Sequence, residues 1–315
     1  MNPRSVLIVS VRGDLHAAVV QNSLSKDFGA DCSIFEVDTI AYRNKISLNF
    51  GDFGPEFEFL DSAGRLRRAS EFDVLWWRRG SRKQSLSDSG LGEAEIDLIN
   101  NDCTAAFRGG LTAGFGGLWV NHPIATTNAE DKIYQLAQAA AVGLKTPFSL
   151  ISQNPERIRE FIEQVGGKAV IKTLRGTPLR NLLSAVVTSE TFNNSTAYVA
   201  PAIYQQYVPG AEHLRIQVFG ENIICIKISS KFMDWRTNLN VEAAIHGLDD
   251  HFRTQIVSFV KLLGLSMGII DAKLTPDGDL VFLEINPQGQ FLFLEPMVGF
   301  DLKQEFASYL ALGDR

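Results

Sequence analysis

Three oxygen-bearing side chains near the end of the chain, Asp271, Glu284 and Asn286, are spaced so that one chain reversal can bring them together. Two runs rich in β-branched and aromatic residues, 267–275 and 280–285, flank Pro276-Asp277-Gly278-Asp279. Proline presets the first turn dihedral and glycine takes the one a side chain resists, so the segment reads as a β-hairpin. With those four residues as the loop, Thr275 faces Leu280, Lys273 faces Phe282 and Asp271 faces Glu284. Asn286 lies two residues beyond Glu284, and strand alternation places it on the same face. A slip of one residue would move the set to opposite faces. Hard oxygen donors in this arrangement suit Mg²⁺, which takes a few carboxylates and fills its other positions with phosphate oxygens and water. The alternative is a surface hairpin with a solvated polar face, or a diagonal Glu284–Lys273 pair. Glu284 sits in an apolar run, where a lone charge is costly to bury.

Cations recur at the ends of apolar segments. Lys172 closes the strand-like run Lys168-Ala169-Val170-Ile171-Lys172, a position that carries a compact charge into a cleft. Arg78 and Arg79 end the aromatic run 73–77, and guanidinium forks suit bidentate capture of carboxylates and phosphates. Solvated arginines on a strand leaving the core are the other reading. Lys132 stands in a helix that Asn128 can cap, with Glu130 and Asp131 in its first turn. Asp234-Trp235-Arg236 reads either as a functional arginine or as a local surface pair worth about 0–1 kcal/mol.

The wording of these segments, and their order, resembles one superfamily. The run from Phe282 through Glu284-Ile285-Asn286-Pro287-Gln288-Gly289-Gln290 to Leu294-Glu295 is similar to the metal-binding end of ATP-grasp ligases. Within them it is most like the graspetide synthetases, the microviridin-type peptide macrocyclases. Gln288 stands where that family usually has asparagine, and Phe291 where it usually has tryptophan. The resemblance implies an α/β fold class with α+β lobes. These are an N-terminal pre-ATP-grasp domain (1–120), a central lid domain (121–204) and a C-terminal catalytic domain (205–315). It implies ATP and Mg²⁺ as cofactors, with Asp271, Glu284 and Asn286 holding the metal and Lys132 and Lys172 the nucleotide phosphates. The stretch Ile203-Tyr204-Gln205-Gln206-Tyr207-Val208-Pro209-Gly210 resembles the interlobe hinge, so Gln205, Gln206, Tyr207 and Val208 are expected around adenine. Residues 173–180 take the place of the phosphate-covering loop, with one glycine and two arginines instead of a glycine-rich sequence. Arg215, Arg236 and Arg78 are the expected catalytic arginines. His213 stands where an aspartate is common, with Glu212 beside it.

The rest of the chain supplies the frame. Residues 5–11 read as a strand buried on both faces, and Asp14 can cap the helix that follows, which Gly29 ends. The turn at Arg12-Gly13-Asp14 has one glycine, not the trio of a dinucleotide site. A hairpin is expected around 51–55, a helix over 93–111, a strand at 118–120, a helix after Asn154 and a strand at 182–188. Helices over 249–263 and 301–312 bracket the catalytic hairpin.

At 315 residues the chain is long enough for two or three cores, and 45% hydrophobic with 21% charged residues is ordinary for a globular protein. A net charge of −6 argues against general nucleic-acid binding. Three scattered cysteines suit a reducing compartment. The N-terminal apolar stretch is short for a signal peptide, and no run is long enough to span a bilayer. The expectation is a cytoplasmic enzyme with no nucleic-acid or membrane partner. By the resemblance it is a homodimeric ligase joining side chains of a ribosomal precursor peptide, leader plus core, into ester or amide macrocycles. A related ligase for free amino acids or protein tails, and a non-catalytic ATP-binding module, are the competing readings.

Overall fold

The computed structural model describes residues 2–52, 54–86, 89–176, 184–193, 199–238 and 240–314. Val6–Ser10 is buried at every position and pairs in parallel with Cys32–Glu36 and Val74–Trp77, and Leu118–Val120 extends the sheet beyond Val74–Trp77. Asp14 caps the helix Leu15–Asp27, accepting the His16 N–H at 3.0 Å, and Gly29 turns the chain away at φ 64°. A three-stranded antiparallel sheet, Ile46–Gly51, Gly54–Leu60 and Leu66–Arg68, packs under the helix Glu93–Gly114. That packing is close: a Cβ on Gly110 would come within 2.3 Å of the Phe57 ring.

The second sheet is antiparallel, in the order Ala185–Thr188, Lys168–Lys172, Ala202–Gln206, Ser149–Ser152. Helix Pro155–Gln164 covers it, with Asn154 accepting the Arg157 N–H at 3.0 Å and Ile158, Phe161 and Ile162 facing Ala169, Val187 and Tyr204. The strand expected over 182–188 begins at Ala185, and residues 182 and 183 lie outside the described residues.

The third sheet runs Glu242–His246, Asn222–Ser229, Glu212–Phe219, Met267–Leu274, Leu280–Asn286, all antiparallel. One face packs on helix Asp250–Leu262 and on Ala129, Ala139 and Leu144. The other packs on helix Leu302–Leu312, which joins it to the N-terminal sheet. Phe306 sits between Trp76 and Phe219, its ring centroid 4.8 Å from each, and 5.5 Å from Phe291. Asn121 ties the same junction. Its amide donates to Met267 O and Pro287 O at 2.9 and 2.8 Å and accepts from the Ser266 and Met267 N–H groups.

Two expectations need correction. The helix does not open at Asn128. Pro123–Ala129 is already helical, with Pro123 preset in its first turn, and the next helix, Lys132–Ala141, is capped by Asp131, which accepts the Ile133 and Tyr134 N–H groups. The hairpin register also differs. Leu274 faces Leu280 and Lys273 faces Val281, so the loop has five residues, and a β-bulge near Leu283 restores the pairing of Asp271 with Glu284. The extra residue answers a conflict. In a regular strand Phe282 and Glu284 would share a face, but the bulge sends Phe282 into the core against Phe259 while Glu284 enters the cleft.

Candidate active site

A row of charged side chains crosses the third sheet. Arg215 lies opposite Asp271 in one ladder, and Asp271 lies opposite Glu284 in the next. Arg215 Nη1 donates to both Asp271 carboxylate oxygens at 2.8 and 2.7 Å, and its Nη2 donates to Gln290 O at 3.0 Å. The guanidinium is buried, and its Nε has no partner among the described residues. Glu284 is held beside a different cation. Lys132 and Gln135 share a helix face three residues apart. Gln135 accepts the Ile285 N–H at 3.0 Å and donates to Ile285 O at 2.9 Å, which satisfies the outer edge of the strand. That tether brings Lys132 Nζ to 3.7 Å from Glu284 and within 3.1 Å of Thr173 O.

Above the row, Lys172 ends its strand opposite Ile203. Burial pushes its ammonium below the usual lysine value; Glu284 and Asp271 oppose the shift, and Lys132 and Arg236 add to it. Gln205 is buried and donates to Ser149 Oγ at 3.0 Å, while the Gln206 N–H donates to Phe148 O at 2.8 Å. Tyr207 and Val208 follow the strand end, with Lys168 Nζ 3.7 Å from the Tyr207 ring centroid. Arg236 donates to both Asp234 oxygens at 2.8 and 2.7 Å, so the local pair exists. That hydrogen bond holds the Arg236 guanidinium above its ordinary value despite burial.

Lys132, Lys172, Gln205, Gln206, Tyr207, Val208, Arg236, Asp271 and Glu284 line one cleft of about 310 Å³, within the range of roughly 300–1,000 Å³ usual for small-molecule sites. Three expected residues stand apart. Arg215 lies outside the lining, paired with Asp271. Asn286 is exposed outside the lining, and its Oδ1 accepts the Gln288 N–H at 3.0 Å. Arg78 is buried between the N-terminal sheet and the third one, 2.9 Å from Asp14, with Nη1 donating to Gln288 O at 3.4 Å. Its strand ends inside an interface and not at the cleft, which is why the Arg-Arg pair misleads. Thr173, Arg175 and Gly176 of the covering loop line the cleft, while 177–180 lie outside the described residues.

His213 and Lys273 face each other in the ladder, and both reach the cleft. Burial and then Lys273 push the His213 imidazolium down to about 4, leaving the ring neutral near pH 7. Lys273 donates to Gly210 O at 2.5 Å. The signal for it was present in the sequence, since it lies two residues from Asp271 on one face. The donor chemistry fits a hard divalent ion, because Asp271 and Glu284 offer carboxylate oxygens across one ladder position. Both carboxylates have cation partners, and among the described residues no group of three or more His, Cys, Asp or Glu is arranged to hold a metal.

The RimK-like ATP-grasp domain matches residues 129–310 of this chain. Among curated proteins, a ribosomal protein bS6–L-glutamate ligase of Salmonella paratyphi B is 26% identical over 250 residues, 75% of each chain. Among solved structures, the macrocyclase MdnC of Microcystis aeruginosa, bound with precursor peptide MdnA, is 26% identical with a TM-score of 0.83, covering 97% of this chain and 99% of that one. A Chryseobacterium gregarium RiPP-associated ATP-grasp ligase, in complex with ADP and a leader and core peptide, gives a TM-score of 0.87 at 21% identity, over 98% and 96%. No helix among the described residues is long and apolar enough to cross a membrane. The domain match spans more than half the chain, and the cleft between the second and third sheets lies within it: the chain belongs to the RimK-like ATP-grasp family and is an ATP-grasp ligase.

Proposed function

We propose that the ligase closes ester or amide links between side chains of a ribosomal precursor peptide, recognised as leader plus core, with ATP as the energy source. The observation that carries the reading is the pairing of Asp271 with Glu284 on the floor of a cleft that also gathers Lys132, Lys172 and Arg236. The likeness to MdnC over nearly the whole of both chains supports the peptide substrate. The three-lobe division at 1–120, 121–204 and 205–315 and a homodimeric assembly belong to the same reading.

A substrate carboxylate attacks the γ-phosphorus of ATP, ADP leaves, and an acyl phosphate results. A peptide hydroxyl or amine then attacks the acyl carbon and inorganic phosphate departs. Lys132 and Lys172 hold the phosphate oxygens, and the main chain at Tyr207 and Val208 reads adenine. Arg236 steadies the acyl anion, and Arg215 sets the position of Asp271. Asp271 and Glu284, with Asn286, would hold Mg²⁺, which when bound offsets charge on the transferring phosphoryl group. No protein nucleophile is required; the chain's work is positioning and charge complementarity.

The likeness to a glutamate ligase favours a second reading, addition of an amino acid to a peptide or protein tail. Mass spectrometry after incubation with ATP, Mg²⁺ and peptides bearing both carboxylates and hydroxyl or amine groups separates the two. A ring loses one water, whereas addition gains a residue. ATP binding with neither product would refute both.

A further inference from the structure

The loop 287–292, just after the Glu284 strand, is gripped from two sides. On the catalytic side Gln290 O accepts from Arg215 Nη2 at 3.0 Å. On the N-terminal side His16 Nε2 lies 3.2 Å from both the Phe291 and the Leu292 nitrogen, while Trp76 Nε1 donates to Gln288 Oε1 at 3.3 Å. Two N–H groups converging on one ring nitrogen require it to carry a lone pair, so the imidazole is neutral with its proton on Nδ1. The surroundings agree. Burial, and then the Arg78 guanidinium, push the His16 imidazolium down to about 4, with Asp14 opposing and Arg79 adding to the shift. The ring also packs edge-on against Phe291, centroids 5.2 Å apart. Its base is fixed in turn, because Asp14 accepts the His16 N–H and the Ser10 hydroxyl and lies 2.9 Å from Arg78 Nε.

We infer that His16 is a positioning residue for the ligase reaction: by accepting the Phe291 and Leu292 N–H groups it fixes the loop that presents Gln290 O to Arg215, and so fixes Arg215 against Asp271. The N-terminal lobe thereby holds the catalytic row in register from outside the cleft. The inference rests on the ligase reading of the cleft.

Two substitutions in the full chain test it. His16→Phe keeps a ring against Phe291 but removes the acceptor; His16→Gln returns an oxygen near the place of Nε2. Hydrogen exchange of the Phe291 and Leu292 amides reads the contact, and phosphate release with ATP, Mg²⁺ and a peptide bearing carboxylates and hydroxyl or amine groups reads its consequence. His16→Phe is expected to speed exchange at both amides and to lower kcat about 10–100-fold, the range for outer partners of a catalytic group, with KM for ATP little changed. His16→Gln is expected to restore both. Wild-type exchange and kcat in His16→Phe, or equal damage in His16→Gln, would reduce the residue to packing and overturn the inference. Should His16→Phe not fold, His16→Gln decides alone, and fast exchange at the two amides counts against the idea. A wild-type chain releasing no phosphate would strike the ligase reading, while the exchange comparison would still judge His16.

Discussion

Asp271 serves two neighbours. Its carboxylate takes both hydrogen bonds from Arg215 Nη1 and also faces Glu284 across the ladder. Because the guanidinium is buried, removing its counter-charge leaves an uncompensated cation, which costs about 3–5 kcal/mol in a buried pair. Asp271→Asn should therefore lower the unfolding free energy measured in urea by that much and abolish ATP-dependent phosphate release. Pairing it with Arg215→Met should recover much of the stability and none of the activity. An unchanged unfolding free energy for the single variant would mean that the Arg215 cation does not depend on Asp271 for its counter-charge. The charged residues of this row were legible as types and spacings. What the sequence did not disclose is that Arg215 is the partner of Asp271, since 56 residues separate them and only the sheet order brings them together.

At the scale of the element, local signals carried far. Asp14, Asn154, Asp249 and Asp301 cap the helices expected to follow them, and the strands Lys168–Lys172 and Leu118–Val120 begin and end where their residues suggested. Caps and turns are written in a few adjacent residues, so they can be read one at a time. The bulge near Leu283 has no such marker. It arises because Phe282 is needed in the core against Phe259 and Glu284 in the cleft, a demand set by distant packing. The same blindness placed Arg78 at the cleft, because burial between two sheets is not a local property. The bulged and unbulged registers predict different things of Phe282. Buried, its replacement by alanine should cost about 3–5 kcal/mol in chemical denaturation. On the cleft face, opposite Lys273, it would cost far less, and the loss would appear in ATP affinity instead. A stability change below about 1 kcal/mol would favour the unbulged pairing.

At the scale of the whole molecule, two half-buried or buried histidines in different parts of the fold are held in their neutral form. His16 joins the N-terminal helix to the loop 287–292, facing Arg78, Arg79 and Asp14. His213 lies at the start of its strand against Lys273, with Phe232 O, Asp234 and Glu212 beside it. Both imidazoles are pushed from the ordinary 6.5 to about 4, burial being the main cause in each. The unfolded chain takes up these protons near pH 6.5 and the folded chain only near 4. Between those values the unfolded state binds more protons, so stability falls as pH drops across that window. Asp14 and Asp234 behave differently. Burial raises each, but hydrogen bonds and nearby arginines outweigh it and hold both below 3.8, so their contribution is lost only under stronger acid. Urea midpoints measured from pH 7 to 4 should therefore decline before the carboxylates titrate. His16→Gln removes one of the two protons from that balance and should make the decline shallower without altering the acid limb set by Asp14 and Asp234. An equally steep decline in that variant would mean that the His16 ring titrates in the folded chain as it does in the unfolded one, which two N–H donors on a single ring nitrogen oppose.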